Sequence, residues 1–171
     1  MQNDHLDTPG DLNRPVERVL MSLNPEYYEL IWRRLKRHEF RRRYLTDRPT
    51  TWFVYLTAPV STLAAVIDLD PAIVDSPRRI ADLAEQARAG NGESVYEYFK
   101  SSERGFAIPI TKVREYAGYS AHELVDLLGA FHPPQGYTLV ENNPTLSAVC
   151  DTLTSTPVVR ELTVQHPASA P

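Results

Sequence analysis

The run from Asn24 to Tyr44, NPEYYELIWRRLKRHEFRRRY, dictates two elements and the join between them. Asn24 is a good helix N-cap, Pro25 suits the first helical position because its missing N–H would have no partner there, and Glu26 complements the positive helix end. Tyr28, Ile31, Trp32 and Leu35 recur at helical spacing, so the helix presents one apolar stripe to a core while Glu29, Arg33 and Arg34 face elsewhere. From about Arg37 the period changes to two. Arg37, Glu39, Arg41 and Arg43 then share one face of a strand, and His38, Phe40, Arg42 and Tyr44 the other. One strand face is predicted to be almost wholly ionic.

Charge is concentrated in the same stretch. Residues 33–43 hold Arg33, Arg34, Lys36, Arg37, Arg41, Arg42 and Arg43 against the single acid Glu39, in a chain whose 18 Lys+Arg and 22 Asp+Glu give a formal charge of -4. The basicity is therefore local, as a surface for a polyanion or a phosphate-bearing ligand requires. Neighbouring cations repel unless the protein or a ligand supplies anions. Arg adds planar paired donors for phosphate oxygens and a flat face that stacks on bases. The plainer reading is an edge strand whose charges prevent it from pairing with another chain.

Strands and helices alternate through the rest of the sequence. Strands are predicted at Val16 to Ser22, Arg37 to Arg43, Thr51 to Thr57, Leu63 to Leu69 and Phe106 to Val113; in the third, Trp52, Val54 and Leu56 alternate against Phe53 and Tyr55. Helices are predicted from Pro77 to Arg88 behind Ser76, from Ser94 to Lys100, from Ala121 to Leu128 behind a Ser120/Glu123 capping box, and from Pro144 to Leu153. Pro133 and Pro134 force an extended approach to Tyr137. This order predicts an α+β fold, a small mixed β-barrel flanked by helices. At 171 residues and 42% hydrophobic content the chain suits one core, placed at residues 15–153. Residues 1–14 read as a flexible N-terminal tail and 154–171 as a mostly flexible C-terminal one, with the alternation from Val158 to Val164 as a possible late edge strand.

Several classes are set aside on composition. No apolar run approaches the ~20 residues of a membrane span, and the N-terminus lacks the basic-then-apolar order of a signal peptide, so a cytoplasmic protein is expected. Cys150 is the single cysteine, and the five histidines are scattered, so neither a metal site nor a cofactor is expected. There is no G-x-S-x-G elbow, and seven dispersed glycines build no phosphate loop.

Taken together, MSLNPEYYELI, RRLKRHEFRRR, WFVYLTAPV, GFAIPI and FHPPQGYTL resemble, over roughly residues 16–140, the ASCH domains of the PUA-like superfamily. The family signature is a helix-ending G-x-K-x-x-E-x-R; Lys36, Glu39 and Arg41 occupy its last three defined positions, and Arg34 stands where Gly is usual. The resemblance implies a barrel whose cleft binds RNA or a modified nucleoside or nucleotide. Some ASCH relatives hydrolyse the acetyl amide of N4-acetylcytidine nucleosides with a Lys, a Thr and a Glu, and others are ribonucleases. The resemblance implies Lys36 for that lysine, whereas Glu39 stands where the deacetylating members have Thr.

The expected site therefore has Lys36 and Glu39 facing the cleft as the candidate catalytic pair, with Arg34, Arg37, Arg41 and Arg43 on phosphates. Tyr55, Tyr137 and Gln135 are candidates to stack on and hydrogen-bond to a base. Their plainer readings are an ordinary ion pair and core tyrosines with one wet edge. The expected function is binding of RNA or a modified nucleoside or nucleotide. The alternatives are an enzyme that hydrolyses an acylated nucleoside or cleaves RNA, and a regulatory module that docks an acidic protein segment.

Overall fold

The curl of the sheet follows from one long strand that serves two sets of partners. In the computed structural model, which describes residues 16–45 and 47–167, the chain runs β1 (Glu17–Leu23), α1 (Pro25–Trp32), β2 (His38–Arg41), β3 (Thr50–Leu56), β4 (Thr62–Leu69) and β5 (Ile73–Asp75). It continues through α2 (Pro77–Ala87), α3 (Asn91–Phe99), β6 (Gly105–Ser120), α4 (Ala121–Leu128), β7 (Thr138–Leu139), a 3-10 turn (Val140–Asn142), α5 (Pro144–Ser155) and β8 (Val158–Thr163). The first part of β6 pairs with β2 and β5, and the remainder with β4 and β8. The main path is β2-β6-β4-β3-β1-β7, in which only β1 and β3 pair in parallel. Register shifts in the β4–β6 ladder bend it, and the strands curl into a half-barrel with helices around it, the mixed α+β class expected. Gly118 (φ 79) sits at one such shift, where a Cβ would collide with the Leu63 carbonyl oxygen.

Both faces of β3 are buried, in the alternation predicted. Trp52, Val54 and Leu56 join Met21, Ile67, Ile108 and the α1 residues Tyr28 and Ile31 in one core. Phe53 and Tyr55 join Leu124, Leu146, Val149, Cys150 and Leu153 in a second, beneath α4 and α5. Burial there pushes the Cys150 thiol up to about 12. A third, smaller cluster of Ile80, Ala84, Val95 and Phe99 docks α2 and α3 on Ala107 of β6.

Several segments differ from the sequence expectation: β2 is confined to His38–Arg41, α3 begins at Asn91 rather than Ser94, and the short strands β5 and β7 were not expected. β6 extends to Ser120, well beyond Val113, because its later residues are held by β4 and β8 on either side. The alternation after Pro157 does form a strand, β8, which pairs with β6. Arg160 stacks 4.0 Å over Trp32 and donates to Glu115 and Glu29 at 3.0 Å each, fastening β8 across α1. Residues 1–14, expected to form a tail, lie outside the described residues.

α1 ends as its last residues dictate. Asn24 accepts from the Glu26 N–H at 2.8 Å, which caps the start. At the other end the Leu35 N–H bonds Leu30 O at 2.9 Å and the Arg34 N–H bonds Ile31 O at 2.9 Å, the paired bonds of a Schellman turn. Such a turn needs a left-handed residue, and Arg34 takes that conformation with φ 64. This is the position at which glycine adopts the same angles without crowding a Cβ.

Two outcomes follow. Arg34→Gly is expected to stabilise the protein by about 0.5–1 kcal/mol in urea unfolding, relief of left-handed crowding outweighing the added chain entropy. His38, in contact with His166 at 5.2 Å between ring centroids, is pushed down from 6.5 to about 4, chiefly by burial and then by His166, Lys36 and Arg37. The unfolded chain therefore takes up the proton first, so stability is full above pH 6.5 and falls as pH drops toward 4. Urea midpoints should show His38→Gln losing about 1–2 kcal/mol less than the parent between about pH 7 and pH 5.

A candidate ligand cavity at the end of the first helix

The Schellman turn delivers Lys36 inward. Its backbone N–H also bonds Leu30 O at 3.1 Å, and its side chain enters a cavity of about 370 Å³ between the α1–β2 junction and the α2–α3 pair. Glu39 and Arg41, on one face of β2, enter beside it. Glu39 is only 6% exposed. Lys36 Nζ lies 3.6 Å from Glu39 Oε2 and Arg41 Nε lies 3.3 Å from Glu39 Oε1, so one buried carboxylate faces two cations. Arg41 is held further by a 2.9 Å bond to Ser22 O and by the Trp52 ring, 5.8 Å below its guanidinium.

The opposite wall comes from α2 and α3. Glu85 accepts the N–H groups of Gly90 at 2.8 Å and Gly92 at 2.9 Å, folding the chain sharply between the two helices. Gly92 is required by closeness: a Cβ there would meet Ala81 O at 2.9 Å. The turn sets Arg88 and Asn91 on the cavity wall, joined by a 2.9 Å bond from Arg88 to Asn91 Oδ1. The α3 wall is pinned to β2 by Arg42, which donates to Tyr98 O at 2.9 and 3.1 Å and lies 4.2 Å over the Tyr98 ring. Tyr98 and Tyr27 also line the cavity and are 39% and 52% exposed.

The electrostatics are unbalanced. Three cations, Lys36, Arg41 and Arg88, share the cavity with Glu39. Burial holds the Lys36 ammonium below the usual lysine range; Arg41 and Arg88 push the same way, and Glu39 opposes them. Among the described residues, Glu39 Oε2, Arg41 Nε and Arg88 Nε are buried with no hydrogen-bond partner. Buried polar atoms in that state are costly unless something else satisfies them.

Of the residues singled out from sequence, Lys36, Glu39 and Arg41 come together in the cavity. Arg34 is at the exposed turn, Arg37 is half-buried and Arg43 is exposed, and none of the three lines it. Tyr55 is 3% exposed in the second core, with Phe131 at 5.0 Å. Tyr137 packs on Tyr44 at 5.8 Å, and Gln135 is exposed in the preceding loop. Arg88, Asn91, Tyr27 and Tyr98 were missed. Arg88 closes a predicted helix rather than a charge cluster, and nothing local in sequence shows that this helix covers the end of α1. Among the described residues, no three His, Cys, Asp or Glu side chains gather as a metal site, and no helix is long and apolar enough to cross a membrane.

A curled mixed sheet with a charged cavity at the exit of its first helix defines the fold class, and solved structures name it. The chain has the ASCH fold. It is similar to ASCH from Zymomonas mobilis, with 21% identity over 80% of this chain and 94% of that one and a TM-score of 0.64. It is also similar to a serine-to-alanine variant of that protein, at 19% identity over 82% of this chain and 96% of that one, with a TM-score of 0.69. No family model and no curated protein matches the sequence.

Opposite signs are expected for two substitutions in this cluster. Glu39→Gln removes the counter-charge from three neighbouring cations and should cost about 2–3 kcal/mol. Lys36→Met removes a desolvated ammonium while leaving Glu39 its contact with Arg41, and should gain about 1 kcal/mol. Chemical unfolding at neutral pH checks both.

Proposed function

We propose that this protein binds RNA or a modified nucleoside or nucleotide, and that the cavity at the end of α1 receives one unstacked nucleotide unit. The observation that carries the reading is the gathering of Lys36, Arg41 and Arg88 around one space of about 370 Å³, with the single buried carboxylate of Glu39 paired to Lys36 and Arg41. That volume falls in the range of small-molecule sites, about 300–1,000 Å³, and is far too small for a duplex. Tyr27 and Tyr98 supply aromatic faces on which any base can stack, and single-stranded RNA offers unstacked bases for capture. Exposed Arg33 and Arg34 at the same helix end, and exposed Arg43 after β2, would extend the basic field along an RNA backbone.

A second reading, hydrolysis, is favoured by one observation. A lysine held below its usual range is more readily available in its neutral form than a surface lysine, and Glu39 lies 3.6 Å from it. Its substrates would be an acylated nucleoside or an RNA chain.

Calorimetry with short single-stranded RNA and with a panel of natural and acylated nucleosides tests both readings. Tyr27→Ala should weaken binding by about 10-fold, the worth of one stacked base. Arg43→Ala should chiefly lower the salt slope, by about 1. If no member of the panel binds the folded protein, the binding reading is lost. If members bind but none is turned over, or turnover survives Lys36→Ala, hydrolysis by Lys36 is removed and binding remains.

A further inference from the structure

We infer that the α2–α3 wall makes this cavity a receptor for a phosphomonoester, so that the preferred ligand is a mononucleotide or a phosphorylated RNA end rather than a nucleoside. The inference rests on the nucleotide-binding reading and names which part of the ligand the cations hold. Lys36 and Arg41 alone would be balanced, to within one charge, by Glu39. The third cation, Arg88, arrives from a different element and leaves the cavity with two uncompensated positive charges. A terminal phosphate near neutral pH carries close to two negative charges, whereas a phosphodiester carries one and a nucleoside none.

The donors match that charge. Arg88 Nε is buried and without a hydrogen-bond partner, and Arg41 Nε makes no hydrogen bond although it lies 3.3 Å from Glu39 Oε1; both guanidinium groups are already steadied, Arg41 by Ser22 O and Arg88 by Asn91 Oδ1. A steadied guanidinium with an uncommitted N–H loses little freedom on taking up a phosphate oxygen. The Arg88–Asn91 corner is itself held in place, by Glu85 on the N–H groups of Gly90 and Gly92 and by the close contact of Gly92 with α2. Lys36 supplies a further charge on the same space. Its ammonium is disfavoured by burial and by the two arginines, and a bound dianion opposes that effect.

Isothermal titration calorimetry with the four ribonucleosides, their 5′- and 3′-monophosphates and inorganic phosphate tests this. A monophosphate should bind at least about 10-fold tighter than its nucleoside. Arg88→Gln should remove about 10-fold of the monophosphate affinity and change nucleoside affinity less than about twofold, with part of the loss restored in Arg88→Lys. Equal affinity for nucleoside and monophosphate, or an equal effect of Arg88→Gln on both, overturns the phosphate receptor while leaving nucleotide binding standing. Arg88-dependent binding of inorganic phosphate with no added affinity from any base overturns the nucleotide reading and leaves the phosphate receptor. Binding of none of these ligands overturns both.

Discussion

Glu39 is a carboxylate withdrawn from water on a short strand, with Lys36 at 3.6 Å and Arg41 at 3.3 Å. Neither partner is in a geometry that satisfies it fully, since Glu39 Oε2 and Arg41 Nε are without hydrogen bonds. Such an arrangement contributes little to stability, because the cost of desolvating three ions competes with their attraction. What it does is hold two cations at a fixed place inside a cavity, which a hydrophobic floor could not. The cluster depends in turn on the backbone that brings it together: the Schellman turn at Arg34 reverses α1 so that Lys36 and the face of β2 carrying Glu39 and Arg41 look into the same space.

The half-barrel is the support for this device. β2 is a four-residue strand and would not hold a register alone, but β6 grips it from His38 to Arg41 while extending to β4 and β8 beyond. Trp52 lies under Arg41 with its indole N–H bonded to Met21 O at 3.0 Å, so the platform beneath the guanidinium is itself fixed. At the far side, β8 straps α1 through Arg160, whose contacts with Trp32, Glu29 and Glu115 join the C-terminal strand to the helix that presents Lys36. Order in the cavity is thus drawn from both ends of the chain.

How much of this was legible depended on how local each signal was. The caps of α1 and α4, the two-faced alternation of β3 and the charge run were readable because each is a relation between residues within a few positions. The extent of β6 was not, since its second half is a strand through partners distant in sequence. Tyr55 was a plausible base-stacking residue from its place on a strand, yet β3 is buried on both faces, and its ring faces Phe131 in the second core. Of the seven clustered cations, only Lys36 and Arg41 line the cavity; Arg42 turns outward and serves as a clamp on Tyr98.

Residue order was sufficient for most of the elements, the α+β class, the local excess of positive charge and the Lys36–Glu39–Arg41 spacing, because propensity, capping and periodicity act over a turn or a few strand residues. The cavity needed the packed chain. Its second wall stands about fifty residues after its first, and α2 and α3 reach it only because Ile80, Ala84, Val95 and Phe99 bury against Ala107 of β6. Burial of apolar surface is indifferent to sequence separation. It was that long-range docking, and no motif, that set Arg88 opposite Lys36 and gave a basic stretch the second wall of a cleft.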